Sequence, residues 1–182
     1  MLPRVRREQV SHPFLQSIDA LRIVGPKLIK KASPSHRIRS FNVEIKIETI
    51  RRKKLSASIE ARNLAIGKGD GHVEFWHNKE HSADHRVVTK KFRALRSDTI
   101  ETSTVAMTSV DAFITSHNLR NVSFIKIDVQ GYELGVCEGM QQTLERFPGL
   151  RVCFEYSPEG LVELGFEPEK VLEFFRIRNY RI

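Results

Sequence analysis

A chain of 182 residues, 40% apolar and 29% charged, is long enough for one domain with its own core and short for two. No apolar run approaches the roughly 20 residues of a membrane span, and no signal-peptide pattern follows the basic first residues, so a cytoplasmic protein without a membrane partner is expected. The formal charge of +8 is uneven, for residues 1–54 carry 14 Lys and Arg against 4 Asp and Glu, whereas residues 55–182 carry 16 against 18.

Residues 1–40 read as a basic, weakly patterned segment ahead of a domain over residues 41–182. Phe14, Ile18, Leu21, Ile23, Leu28 and Ile29 recur at a loose helical spacing that Gly25-Pro26 interrupts. Ile38 to Phe41 predicts a short strand, and Ile45, Ile47, Ile50 and Leu55 predict the apolar side of a helix. Arg51-Arg-Lys-Lys54 falls near the end of that helix, where cations suit the dipole, and reads as a solvated helix end. Phe14 and Phe41 are the only aromatics in residues 1–54, too few to stack on bases, so a nucleic-acid partner is not expected.

Ala61 to Ile66 predicts a strand, followed by Gly67-Lys-Gly-Asp-Gly71 and the alternating run His72 to Trp76. A phosphate-cradling glycine loop opens a helix, and this one opens a strand, so a hairpin joining two antiparallel strands is predicted. His77, His81 and His85 lie in a polar stretch without an apolar side and read as loop residues rather than metal ligands. Val87 to Thr89 predicts a strand, Arg93 to Asp98 a loop, and Thr102 to Thr108 a further strand. Ser109 predicts an N-cap for a helix through Val110, Phe113, Ile114 and Leu119, with Asp111 in its first turn.

Phe124 to Val129 is a short β-branched run, predicted as a strand buried on both faces of a parallel sheet, with Lys126 reaching the rim on its aliphatic stem. Asp128 closes the strand and Gly131 supplies a turn residue. Leu134, Cys137, Met140 and Leu144 then place one helix, which Pro148-Gly149 stops. Leu150 to Phe154 predicts the next strand, ending on Glu155. Cys137 and Cys153 both fall in apolar patterns and read as small core residues. Ser157-Pro158 and Pro168 open two more helices, and Tyr180 to Ile182 begins a last strand. In open α/β sheets the ligand crevice lies outside the carboxyl ends of the strands, which directs Asp128 and Glu155 to it. A carboxylate there can position or deprotonate a hydroxyl nucleophile, with Gln130 and Glu133 on the turn to assist. The alternative for Asp128 is a cap on the next helix.

Ile125-Lys-Ile-Asp-Val-Gln-Gly-Tyr-Glu-Leu134, with Glu138-Gly139 after it, resembles the signature of FkbM-type methyltransferases. The resemblance covers residues 60–182 and includes Ser109-Val110-Asp111 and the late Asn179-Tyr180. It implies an α/β fold with a Rossmann-like sheet and flanking helices. It further implies transfer of a methyl group from S-adenosylmethionine to a hydroxyl of a small-molecule acceptor, a sugar or natural product. Asn63-Leu-Ala-Ile-Gly67 resembles the family segment that closes on the adenine, which implies Asn63 and Ala65 as cofactor contacts. Asn42 falls where the family carries a ribose-binding acid. Asp128 and Glu133 are then catalytic, with Asp128 also at the cofactor, and Gln130 and Glu155 face the acceptor.

Two departures accompany the resemblance. The family's first strand and Glu-x-Gly-Ala-x-x-Gly loop have no counterpart in residues 1–40, and Asn42 lacks the charge of the ribose acid. The expected sheet is therefore incomplete on its N-terminal side, with an edge open to an oligomer or partner. Binding of S-adenosylmethionine is expected to be weak. The competing reading is a degenerate, non-catalytic domain, a pseudoenzyme or truncated fragment.

Overall fold

The computed structural model describes residues 20–24, 62–78, 80, 84–96 and 100–182. In chain order its elements are β1 (Ala20–Val24), β2 (Ala65–Ile66), β3 (Gly71–Trp76), β4 (Arg86–Val87), α1 (Lys90–Leu95), β5 (Thr102–Thr108), α2 (Val110–Ser116), β6 (Phe124–Asp128), α3 (Glu133–Glu138), α4 (Gln141–Arg146), β7 (Arg151–Phe154), α5 (Pro158–Leu164) and α6 (Pro168–Arg176). Asn42, the strand expected at Ile38 to Phe41 and the helix expected around Ile45 to Leu55 lie outside the described residues.

Among the described residues the strands form two sheets. One is parallel throughout, in the order β1-β6-β7, with Val24 opposite Asp128 and Ile127 opposite Phe154. Leu21 and Ile23, read above at helical spacing, belong to β1; a five-residue run cut by Gly25-Pro26 is too short for a stable helix and alternates as a strand does. β1 falls within the segment read as preceding the domain, and it pairs with the domain's central strand.

The second sheet is mixed, in the order β2-β5-β3-β4. Its topology corrects the expected hairpin, because β5 lies between β2 and β3 and pairs parallel to the first and antiparallel to the second. The glycine stretch bends around the end of β5, with the Gly67 amide bonded to the Thr108 carbonyl at 2.9 Å. It opens a strand and no helix. Arg93 to Asp98, expected as a loop, overlaps α1, whose N-cap Thr89 accepts from the Phe92 amide at 3.1 Å. Tyr180 to Ile182 forms no strand.

β6 is not buried on both faces. Ile125 and Ile127 are fully buried against Val136, Met140, Leu161 and Phe175, whereas Phe124 on the other face is 36% exposed. The parallel register places Lys126 and Asp128 on that open face beside Cys153 and Glu155. Cys153 is consequently exposed, not a core residue, and Cys137 is buried as expected. A smaller core of Ala65, Phe75, Val87 and Leu164 lies under the second sheet. Tyr132 and Phe166 pack against both cores, their rings 5.6 Å apart in an edge-on arrangement.

Candidate active site

The site follows from the ends of two adjacent parallel strands. One further rung beyond the β6–β7 ladder, from the Glu155 amide to the Ile127 carbonyl at 3.0 Å, holds Glu155 level with Asp128. Side chains of alternate residues share a face, so Lys126 stands beside Asp128 and its ammonium donates to Asp128 Oδ2 at 2.7 Å. The chain then turns through Gln130 and Gly131, both in the left-handed region at φ 54° and 96°. Gly131 is required twice over: its φ favours glycine, and an added Cβ would lie 2.4 Å from the Gly160 carbonyl oxygen on α5. The turn folds Gln130 back over the strand ends. Its Nε2 donates to Asp128 Oδ1 at 3.2 Å and to Glu155 Oε2 at 3.0 Å.

The two carboxyls are pushed in opposite directions. Burial raises the Asp128 carboxyl, but the Lys126 ammonium, with help from Glu155 and Gln130, holds it below the usual aspartate range. Burial and the neighbouring Asp128 carboxyl push Glu155 up, against Lys126 and Gln130. Asp128 is thus the stable anion and Glu155 the member that holds a proton more readily. Such a split between adjacent carboxyls marks sites that do acid–base work.

Glu133 stands at the first turn of α3, only 1% exposed. Its Oε1 accepts from the Gly131 amide at 3.1 Å, while Oε2 is buried without a partner. Burial pushes this carboxyl up. It braces the turn from below and makes no hydrogen bond to the open cluster above. Burial likewise pushes the Cys137 thiol up to about 12, which keeps it protonated and inert.

The structure therefore brings Asp128, Gln130 and Glu155 together, adds Lys126, and places Glu133 beneath them. Lys126 was expected only at the rim; its position two residues before Asp128 on the same strand face is the signal that pairs them. Ala65 is buried in the smaller core and Asn63 is exposed just before β2. An open polar groove of about 760 Å³ lies elsewhere, lined by Lys68, Ser109, Asp111, Glu138 and Gln142 among others, and contains none of the expected site residues. Of its charged groups, Lys68 pairs with Glu138 at 3.3 Å and Asp111 binds backbone amides of α4. Among the described residues no group of three His, Cys, Asp or Glu could hold a metal ion, and no helix is long and apolar enough to cross a membrane.

No curated protein and no solved structure matches the chain. The family model of the methyltransferase FkbM domain matches residues 27–182, a span that includes β6, its acid-bearing turn and β7 with Glu155. Most of the chain is covered by that match, and the protein belongs to the FkbM methyltransferase domain family.

Proposed function

We propose that this chain is an S-adenosylmethionine-dependent O-methyltransferase of the cytoplasm, acting through a Rossmann-like sheet on a hydroxyl of a small-molecule acceptor such as a sugar or natural product. The observation that carries the reading is the acceptor-rich cluster at the carboxyl ends of β6 and β7, where Asp128, Gln130 and Glu155 converge. The donor chemistry of S-adenosylmethionine fits it, since hydroxyl and ammonium groups donate to carboxylates and a sulfonium is stabilised by an anion. When bound, this cofactor supplies an electrophilic methyl group. Asp128, kept ionised by Lys126, and the adenine-side segment Asn63 to Ala65 are the residues assigned to hold it. Gln130 and Glu155 face the acceptor, and Glu133 fixes the turn that aims Gln130.

Titration calorimetry of the 182-residue chain with S-adenosylmethionine tests the reading. Binding in the high micromolar range is expected, as the asparagine at position 42 brings no charge to the ribose. Asp128→Ala removes a charge-assisted bond and should weaken binding a further ten- to hundredfold, for a loss of about 1.5–3 kcal/mol. Absence of binding to the wild-type chain would favour the degenerate, non-catalytic reading.

A further inference from the structure

We infer that Glu155, and not Asp128, is the general base that takes the proton from the acceptor hydroxyl, with Lys126 and Gln130 as positioning residues; this rests on the methyl-transfer reading above. Both oxygens of Asp128 are occupied, Oδ2 by the Lys126 ammonium at 2.7 Å and Oδ1 by the Gln130 amide at 3.2 Å. The Asp128 side chain is also recessed, at 22% exposure. Glu155 is exposed, lies one residue past the end of β7, and receives the Gln130 amide on Oε2 at 3.0 Å. A carboxylate tied to a cation is a poor base, whereas one beside a second carboxylate is a better one. The charged and titratable groups that face Glu155 are Lys126 and Asp128 on β6 and Glu133 at the start of α3. Lys126 places its charge chiefly on Asp128, leaving burial and the Asp128 carboxyl to favour the protonated form of Glu155.

The step balances without a further reactant. The hydroxyl O–H bond breaks and its proton moves to the Glu155 carboxylate. The electron pair left on oxygen forms the O–CH₃ bond as the CH₃–S bond breaks, which yields a methyl ether and a neutral thioether. The proton then leaves Glu155 for water.

Two measurements on the full chain test the assignment. Carbon-detected NMR titration of the carboxyl groups should show Glu155 titrating above the ordinary glutamate value of about 4.3, and falling back towards it in Asp128→Asn. Transfer of labelled methyl from S-adenosylmethionine to a panel of free sugars should drop about a hundredfold in Glu155→Gln, with affinity for S-adenosylmethionine within about threefold of wild type. The rate of the wild type should rise with pH through the Glu155 titration, and that limb should vanish in Glu155→Gln. A Glu155 that titrates at or below the ordinary value, or a Glu155→Gln variant that transfers methyl at the wild-type rate, overturns the assignment. A wild-type chain that fails to bind S-adenosylmethionine overturns both readings, and calorimetry tells that failure apart from loss of the base alone.

Discussion

Glu133 shows how a single buried carboxyl shapes both the site and its pH response. Its 1% exposure and unpartnered Oε2 make ionisation costly, so its folded-state titration lies above the unfolded value of about 4.3. The folded chain then binds more protons than the unfolded chain as pH climbs past that value. Stability from this residue is full below it and falls as pH rises towards the folded titration point. Glu133→Gln keeps an oxygen for the Gly131 amide and removes the charge. Urea denaturation at a series of pH values should show a flatter decline above pH of about 4.3 in this variant, with stability at neutral pH equal to or above wild type. An unchanged slope would mean that Glu133 ionises without cost where it lies. The sequence made Asp128, Gln130 and Glu155 legible, because strand ends collect at one crevice whatever the details of the sheet. Nothing in it announced the burial of Glu133, since one acid between Tyr132 and Leu134 at a helix start looks like any solvated first-turn glutamate.

At the scale of elements, the caps that precede α2 and α5 were readable, whereas Thr89, read as a strand end, caps α1, and the longer-range cap of α4 was not readable either. Ser109 accepts from the Ala112 amide at 3.0 Å and Ser157 from the Gly160 amide at 3.2 Å, as their positions before apolar runs predict. Asp111 was expected to serve the dipole of its own helix. It stands in that first turn, and its carboxylate also accepts from the Gln142 amide at 3.2 Å and from the Thr143 amide at 2.8 Å, capping α4 from another element. That cap is needed because the apolar spacing from Leu134 to Leu144, read as one helix, is broken into α3 and α4. The break falls at Gly139, where a Cβ would lie 2.0 Å from the Gly67 carbonyl oxygen at the end of β2. Periodicity reports the buried face of both short helices but not the approach of a strand that separates them. Asp111→Ala should therefore cost about 1–2 kcal/mol in urea denaturation, more than an exposed first-turn aspartate would. Asp111→Asn, which keeps one acceptor, should lose less. Equal effects of the two substitutions would show that the carboxylate's charge, not its bonds to α4, is what matters.

For the molecule as a whole, the question is how two sheets with separate cores hold together. Of the parallel sheet β6 and β7 were legible from their apolar runs, whereas β1, read at helical spacing, was not, nor was the open face of β6, since a three-residue alternation of Phe124, Lys126 and Asp128 can face a helix layer or solvent. The order of the second sheet was hidden because β2 and β3 are neighbours in sequence but not in space. Tyr132, together with Phe166, joins the halves. Its ring lies over Gly135, where an added Cβ would come within 2.5 Å of it, and it reaches Gly67 at the end of β2 and Phe166 before α6. Removing it to alanine should cost about 3 kcal/mol, as for other large packed aromatics. It should also loosen the coupling between the sheets. Trp76 is the only tryptophan and lies on β3, so its fluorescence reports the second sheet alone, while far-ultraviolet circular dichroism is dominated by the helices that flank the first. In the wild type both signals should follow one transition. In Tyr132→Ala the fluorescence midpoint should fall below the circular dichroism midpoint, because the second sheet buries the smaller core and depends more on the shared ring. Coincident midpoints in the variant would show that the contact through Phe166 suffices to keep the two sheets one cooperative unit.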